Sequence, residues 1–257
     1  MKLGFMNLMS TKNIFDDIDF AIKNNFNAFG IGLDWEQNWN LKPKTLKKIK
    51  EICESNNIHL DIHTAYFLAT SAIHPDVRKT VINVLKSSII LANKVNSHSI
   101  TVHPGYRESI DEEKNYEALK KTLIETVKFG KKYDVMVCLE NHAAPFSPCF
   151  FMEDMLNVLK SVDGLKVTLD IGHANIDGNS VLEYYKKLKD CVVNVHIHDN
   201  DGTSDQHRCI GEGNIDFKKI FKQFKKNKYD GPFILEIFIK DKLIKCRDNF
   251  LKIWKKV

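Results

Sequence analysis

Histidine, glutamate and aspartate residues recur at the ends of short apolar segments of this 257-residue sequence. In one segment Leu60 and Ile62 alternate with Asp61 and His63, and five later segments alternate in the same way. Because residues two apart share a face of a strand, each segment would put aliphatic side chains on one face and polar ones on the other. The polar residues at these segment ends and in the following loops are His63, His103, Glu140, Asp170, His173, His196, Asp205, His207 and Glu236.

This combination of side chains is typical of a divalent-metal site. A carboxylate or imidazole that points into an apolar interior is unfavourable unless it is paired or bound to a metal. Each residue taken alone could equally make a structural hydrogen bond, but convergence of the whole set favours metal. Imidazoles and carboxylates without thiolates favour zinc, manganese or iron over calcium or magnesium. We expect one to three such ions.

The cysteines do not add a thiolate site. Six are scattered along the chain without a C-x-x-C pair, and we expect them to be reduced, partly buried thiols in a cytosolic protein. They are Cys53, Cys138, Cys149, Cys191, Cys209 and Cys246.

Apolar, β-branched segments alternate with helical patterns along the whole chain, which predicts βαβ units and a parallel sheet. Eight strand–helix pairs favour an α/β fold of the (β/α)₈ TIM-barrel type, in one domain over residues 1–257. An open nucleotide-binding sheet is the weaker alternative, since no G-x-G-x-x-G follows the first strand. The predicted strands are Leu3–Leu8, Ala28–Asp34, His59–His63, Ser99–His103, Val135–Asn141, Leu165–Ile171, Val192–His198 and Phe233–Phe238.

The segments between the strands have the apolar period of amphipathic helices. Ser10 and Thr11 are candidate caps of the first helix, and Pro43 and Pro75 are suited to the first turns of later ones. The apolar residues that share a helix face are Ile14, Ile18 and Ile22; Val77, Val81, Leu85 and Ile89; and Tyr116, Leu119, Leu123 and Val127. Further helices are predicted at Met155–Leu159, Val181–Leu188, Phe217–Phe224 and Leu243–Trp254.

The composition is that of a soluble globular protein, and we expect a cytoplasmic location without membrane contact. The net charge of +5 comes largely from lysines scattered over helical segments. Solvated helix faces explain them better than a surface for binding polyanions.

Several short motifs occur in a fixed order along the chain: Asp61–Tyr66, Val102–Gly105, Leu139–Asn141, Leu169–Asn175, Val195–Gly202, Asp205–Arg208, Gly211–Phe217 and Leu235–Glu236. As an ordered set they resemble the xylose isomerase-like TIM barrels, a superfamily of sugar-phosphate isomerases and epimerases that also includes the endonuclease IV abasic-site nucleases. The resemblance runs from about Leu3 to the last helix.

The isomerase pattern implies one metal held by Glu140, Asp170, His196 and Glu236. The two glutamates would also act as acid and base on opposite sides of a small sugar or sugar phosphate. The end of the chain, from Tyr229 through the last helix, is similar to the sugar enzymes.

The endonuclease IV pattern implies three zinc ions held by all nine residues and DNA with abasic sites as the substrate. Two departures weaken that alternative. The segment Gly4–Leu8 lacks the typical His-x-Ser opening, and the acidic loop Asp34–Trp39 replaces an arginine that would contact DNA.

Four further residues have predicted supporting roles. Arg208 could bind a phosphate or hydroxyl of the substrate, with a surface salt bridge as the alternative. Tyr66 would wall a sugar pocket or wedge into DNA, although loop packing is as common a role for such a residue. No ligand of the superfamily falls on Asp61 or His198, which we expect to orient the ligands from behind.

Overall fold

The computed structural model describes residues 1–7, 13–176 and 180–257, and its strands form a closed parallel barrel. Each strand pairs with its neighbour in sequence, and β1 closes the barrel by pairing with β8. The fold is therefore the predicted (β/α)₈ barrel. The strands are β1 Lys2–Met6, β2 Ala28–Gly32, β3 His59–His63, β4 Ser99–Val102, β5 Met136–Glu140, β6 Lys166–Asp170, β7 Val192–Ile197 and β8 Pro232–Leu235.

Helices connect the strands, and the predicted helical segments all lie in helices. Pro43 and Pro75 occupy first turns, as predicted. Asn13 caps the first helix by accepting a hydrogen bond from the Phe15 N–H, whereas Ser10 and Thr11 lie outside the described residues. The helices are α1 Ile14–Lys23, α2 Glu36–Trp39, α3 Pro43–Ser55, α4 Pro75–Lys94, α5 Glu112–Gly130, α6 Met152–Ser161, α7 Ile171–Ile176, α8 Val181–Leu188, α9 Phe217–Lys226 and α10 Lys240–Trp254.

The strand alternation has the predicted direction. Outward-facing aliphatic residues such as Ile100 and Val102 are fully buried in the core shared with the helices. Inward-facing residues meet across the lumen: the Thr101 and Thr168 hydroxyls are 2.7 Å apart, and the Asn194 amide donates to Asp61 at 3.0 Å. These contacts join strands that are not neighbours, so both side chains of each pair must point into the barrel.

Most strands end one to three residues earlier than predicted. His103, His198 and Glu236 follow β4, β7 and β8 instead of lying within them. Regular strand pairing stops before these residues, although the Glu236 N–H still donates to the Ile197 carbonyl at 3.0 Å. The predicted strand end at Leu8 lies outside the described residues.

One expectation about the cysteines is wrong. Cys209 and Cys246 form a disulfide with their Cα atoms 5.2 Å apart, because α10 packs against the loop that follows β7. Cys53, Cys138 and Cys149 are buried free thiols, and Cys191 is a half-buried one. None of the helices in the described ranges is both long enough and apolar enough to cross a bilayer.

Candidate metal and active site

The nine predicted ligands all lie at the C-terminal end of the barrel. Three of them, His63, Glu140 and Asp170, are the last residues of β3, β5 and β6, and His196 lies in β7. The others stand just beyond a strand or in the loop after β7. This is the end at which TIM barrels carry their active sites.

Glu140 is the centre of the arrangement and is completely buried. Its Oε2 lies 3.2 Å from His63 Nε2 and 2.9 Å from His103 Nε2. Its Oε1 lies 3.1 Å from His196 Nδ1, and the same nitrogen lies 3.0 Å from Glu236 Oε1. One carboxylate thus faces three imidazoles, each supplied by a different strand or the residue after it.

Two clusters of ligand atoms can be separated, each within a sphere suited to one ion. The inner cluster consists of His63, Glu140, His196 and Glu236, and the loop cluster of His173, His198, Asp205 and His207; in each, the ligand atoms lie within 4.8 Å of one another. In the loop cluster Asp205 Oδ2 lies 3.4 Å from His173 Nε2 and 3.2 Å from His207 Nε2.

Asp170 lies between the two clusters. Its Oδ1 accepts the His173 backbone N–H at 2.6 Å and lies 3.1 Å from His198 Nε2. It is within ligand distance of Glu140 and of Glu236 as well. The isomerase pattern implies four ligands, Glu140, Asp170, His196 and Glu236. Any two of them except Asp170 and His196 have ligand atoms close enough to bind one ion together. The Asn141 amide bonds to both backbone groups of Asp170 at 2.9 Å, which fixes the end of β6.

Three imidazoles are oriented as metal ligands are. The Nδ1 atoms of His63, His173 and His207 lie 2.7, 2.9 and 2.9 Å from the backbone carbonyls of Thr64, Asn141 and Glu236. A carbonyl can only accept, so each Nδ1 carries the hydrogen. In the neutral ring Nε2 then presents a lone pair to a carboxylate oxygen, so two hydrogen-bond acceptors face each other. A cation or a proton between the nitrogen and the oxygen removes this repulsion.

Several other polar atoms of the site are buried without a hydrogen-bond partner among the described residues. They are one carboxylate oxygen each of Asp61 and Asp170, His103 Nδ1, His196 Nε2 and both ring nitrogens of His198. Such atoms are unusual in a protein interior unless water or an ion satisfies them. The set of residues therefore fits a divalent cation.

The electrostatics of the metal-free site show the same need for positive charge. Burial lowers the pKa of His63, but Glu140 and Asp34 outweigh it and raise that pKa to about 9. Burial also lowers the pKa of His207, but the carboxylates of Asp205 and Glu236 outweigh burial and raise this pKa to about 9. Burial raises the pKa of Glu236, yet His196 brings it to about 2. Protons on the histidines take the place of a cation.

The two residues expected to orient ligands from behind differ in their contacts. Asp61 Oδ2 lies 3.6 Å from His196 Nε2, below the inner cluster, which suits an orienting role. His198 instead stands among the ligands, stacked on His207 with the ring centres 4.1 Å apart. A Cβ on Gly172 would collide with the His198 ring, so the glycine permits this position.

A cavity of about 420 Å³ opens above the clusters. Predicted ligands on its wall are His63, His103, His173, Asp205, His207 and Glu236, and the predicted substrate contact Tyr66 also lines it. Glu140 lies one layer deeper, behind His63 and His103. Arg208 is not in the wall: its guanidinium contacts Asp201 Oδ2 at 3.0 Å and the Glu212 carbonyl.

Sequence reasoning missed several residues of the cavity wall, of which His142 is the most informative. Its Nδ1 accepts the Ala144 N–H at 3.1 Å, so its Nε2 carries the hydrogen in the neutral ring. Burial, with His103 and His173 nearby, lowers its pKa to about 3. The strand alternation could have identified this residue, because His142 is two residues beyond Glu140 and would share its inward face. Asp34, Trp35, Tyr106 and Phe238 also line the cavity.

Comparison with known proteins gives consistent matches over nearly the whole chain. The family model of the xylose isomerase-like TIM barrel matches residues 18–253. An uncharacterised protein of Methanocaldococcus jannaschii, MJ1311, is 30% identical over 251 residues, which cover 92% of this chain and 83% of that protein.

Solved structures have the same fold. A D-tagatose 3-epimerase-like protein superposes with a TM-score of 0.90 at 28% identity and covers 100% of this chain and 99% of its own. The D-psicose 3-epimerase of Clostridium cellulolyticum H10 superposes with a TM-score of 0.85 at 18% identity over 100% of this chain and 99% of its own. With the barrel and the extent of the family match, the chain belongs to the xylose isomerase-like TIM barrel family.

Proposed function

We propose that the protein is a divalent-metal-dependent epimerase or isomerase of a keto sugar. The observation that carries the proposal is the pair Glu140 and Glu236, whose carboxylates contact the same atom, His196 Nδ1, at 3.1 and 3.0 Å. Two carboxylates beside one position, with a cation site between them, are suited to moving a proton at a carbon next to a carbonyl. The resemblance to a 3-epimerase-like protein supports this chemistry.

The proposed reaction needs one glutamate ionised and its partner protonated. In the metal-free site the neighbouring imidazoles lower the pKa of both Glu140 and Glu236, so the partner must take its proton from one of these imidazoles when the cation binds. The ionised carboxylate takes the proton from the carbon, and the electron pair of the broken C–H bond delocalises onto the neighbouring carbonyl oxygen. The protonated partner then returns a proton to the opposite face, which inverts the carbon. Return to the adjacent carbon would give an isomer instead, with the hydroxyl proton of the first carbon passing to the former carbonyl oxygen so that the carbonyl moves by one carbon.

Glu236 borders the cavity, whereas Glu140 is covered by His63 and His103. The proposal therefore requires these imidazoles to turn from Glu140 when substrate enters. Glu140, Asp170, His196 and Glu236 would hold the ion. A divalent ion bound there would stabilise the negative charge that develops on oxygen during proton abstraction.

We further propose that the sugar is unphosphorylated. Among the described residues, no lysine or arginine lines the cavity, and Arg208 is engaged by Asp201 outside it. The wall instead carries Asp34, 3.7 Å from His63 Nδ1, and four aromatic residues. A phosphate would meet carboxylates there without a lysine or arginine to pair with it. The aromatic residues are Trp35, Tyr66, Tyr106 and Phe238.

Solvent-deuterium exchange tests this function. We expect the metal-loaded protein to incorporate deuterium next to the carbonyl of a free ketopentose or ketohexose, and much less into the corresponding phosphates. Replacing Glu236 or Glu140 by Gln should lower exchange by about 100-fold or more, because glutamine keeps the shape and cannot accept the proton. Absence of exchange across a broad panel of free ketoses, with metal present, contradicts the proposal.

A second candidate, abasic-site phosphodiester cleavage, is favoured by one observation. Eight of the nine ligands divide into three sets, with Asp170 between them. His63 and His103 face Glu140 Oε2, His196 faces Glu140 Oε1 and Glu236 Oε1, and His173 and His207 face Asp205. This division suits more than one ion, as the nuclease pattern requires. The acidic, arginine-free wall of the described cavity weighs against a DNA substrate.

Nicking of an oligonucleotide with one abasic site tests the second candidate. The assay uses zinc-loaded protein at low salt, where phosphate contacts are strongest. Cleavage that depends on Asp205 as well as Glu140 would favour the nuclease, and an intact oligonucleotide would reject it.

A further inference from the structure

The loop between β7 and α9, residues 198–216, carries Asp205 and His207 and is attached to the last helix at three points. Cys246 of α10 forms the disulfide with Cys209 of the loop. Lys245 Nζ donates to Glu212 Oε1 at 2.6 Å, and Asn249 Nδ2 donates to the Ile210 carbonyl at 2.8 Å. We call this set of contacts the α10 clamp.

The loop is also braced from within by Asp199. Its Oδ2 accepts the N–H groups of Gly211 at 2.8 Å and Gly213 at 2.9 Å. Its backbone exchanges two hydrogen bonds of 2.8 Å with that of Arg208. A Cβ on Gly213 would collide with Asn200 O and Asp199, so this residue must be small. The brace and the clamp meet at residues 208–213, immediately after His207.

His207 has a backbone conformation that needs such support. Its φ is +43°, in the left-handed region that is unfavourable for residues with a Cβ. This conformation directs the ring so that Nδ1 bonds to the Glu236 carbonyl and Nε2 faces Asp205 Oδ2. Asp205 and His207 are the most exposed members of the loop cluster and have no strand beneath them. Their positions depend on the loop.

We propose that the α10 clamp positions Asp205 and His207 as ligands, so that cation binding by the loop cluster depends on the Cys209–Cys246 disulfide. Reduction by a dithiol such as dithiothreitol transfers two electrons and two protons to the disulfide and gives two thiols and the cyclic oxidised reagent. The released loop leaves the ligands of the inner cluster in place, because these lie in β3, β5 and β7 and directly after β8. The inference rests on the proposed metal centre, but the behaviour of the loop can be measured without metal.

Hydrogen–deuterium exchange of the metal-free protein measures the loop directly. In dithiothreitol, or in Cys246→Ser, we expect the amides of residues 203–209 to exchange at least tenfold faster, while strand amides are unchanged. Cys191→Ser, which removes a thiol outside the clamp, is the matched control and should behave as wild type. Thiol counting after unfolding without reductant should find four reactive cysteines of six. Six would overturn the proposal.

Titration with Co²⁺, followed by its visible absorption, measures the positioning of the ligands. Asp205→Asn identifies the phase that belongs to the loop cluster, and Glu140→Gln the phase of the inner cluster. Breaking the disulfide should weaken the loop phase by about 10- to 100-fold, as loss of a ligand's supporting contacts does elsewhere, and leave the inner phase as it was. Dithiothreitol is removed by gel filtration before Co²⁺ is added to the reduced protein.

The outcomes separate this inference from the function. The clamp would be overturned if breaking the disulfide changed neither the Co²⁺ affinity of the loop cluster nor the hydrogen–deuterium exchange of residues 203–209, even if the enzyme is active. Lack of Co²⁺ binding at the inner cluster of oxidised wild type would instead refute the proposed metal-dependent function. Faster loop exchange with unchanged Co²⁺ affinity would make the disulfide merely structural and would reject positioning.

Discussion

Raising the pH from 6.5 to 9 should destabilise the metal-free protein and strengthen its affinity for metal. The carboxylates of Glu140, Asp34 and Glu236 outweigh burial and raise the pKa of His63 to about 9 in the folded chain, whereas the unfolded chain has the ordinary value of 6.5. A group with a raised folded pKa stabilises the fold fully below its unfolded pKa. That stabilisation is lost as the pH rises through the folded pKa.

The magnitude follows from the difference between the two pKa values. Each pKa unit corresponds to about 1.4 kcal/mol, so loss of the His63 proton removes about 3 kcal/mol from the free energy of unfolding. His207 titrates in the same window, with its pKa also raised to about 9, and adds to the loss. Its effect is smaller because its partner Asp205 is 37% exposed to solvent.

Urea unfolding in the presence of a chelator, at several pH values between 6.5 and 9, measures the effect. His63→Asn should flatten the dependence by removing one titrating ring, while His98→Asn, at an exposed position, should keep it. Metal affinity should change in the opposite direction, since a cation needs the neutral ring. A metal-free protein whose stability is constant or increases over this window would refute the interpretation that protons substitute for a cation.

Three other predictions concern single perturbations. His142 lines the cavity with the hydrogen on Nε2, so we expect it to donate a hydrogen bond to the keto sugar. His142→Phe should then raise KM about tenfold in steady-state kinetics, and His142→Gln, which retains an N–H donor, should recover part of the loss. A normal KM for the Phe variant would contradict this contact. Gly172→Ala should lower the free energy of unfolding by about 1–3 kcal/mol, because the methyl group of the alanine would meet the His198 ring. An unchanged urea midpoint would refute the close approach of Gly172 to this ring. Removal of metal by a chelator should abolish deuterium exchange and lower Tm, with both restored by the added ion; full activity in the chelator would exclude metal dependence.

The strand alternation predicted most of the site because it reflects simple geometry. Once β3 to β8 were assigned, the period of two fixed which residues face the lumen, and closure of the barrel brought them to one end. Lumen contacts such as Asp61 with Asn194 show that this reasoning holds for the interior. The ends of the strands were less predictable, because a polar residue can continue the alternation one step after the regular strand has ended, as Glu236 does.

Other features depend on tertiary contacts that the sequence pattern does not contain. Cys209 and Cys246 are 37 residues apart, and their pairing requires α10 to lie against the loop after β7. The position of His198 among the ligands depends on Gly172 of α7, because a side chain at that residue would collide with the His198 ring. The direction of Arg208 depends on Asp201, which lies in the same loop. Each of these is decided by loop packing, where neither helical nor strand periodicity applies.

The central claim is that the C-terminal end of this barrel is a divalent-metal centre. Its most direct test is the metal content of the protein, purified without chelators and measured by elemental analysis, with equilibrium dialysis against zinc, manganese and iron(II). We predict at least one tightly bound ion per chain, abolished by Glu140→Gln. A second ion would fill the loop cluster and depend on Asp205. A protein that retains no ion, and binds none on dialysis while correctly folded, would contradict the account.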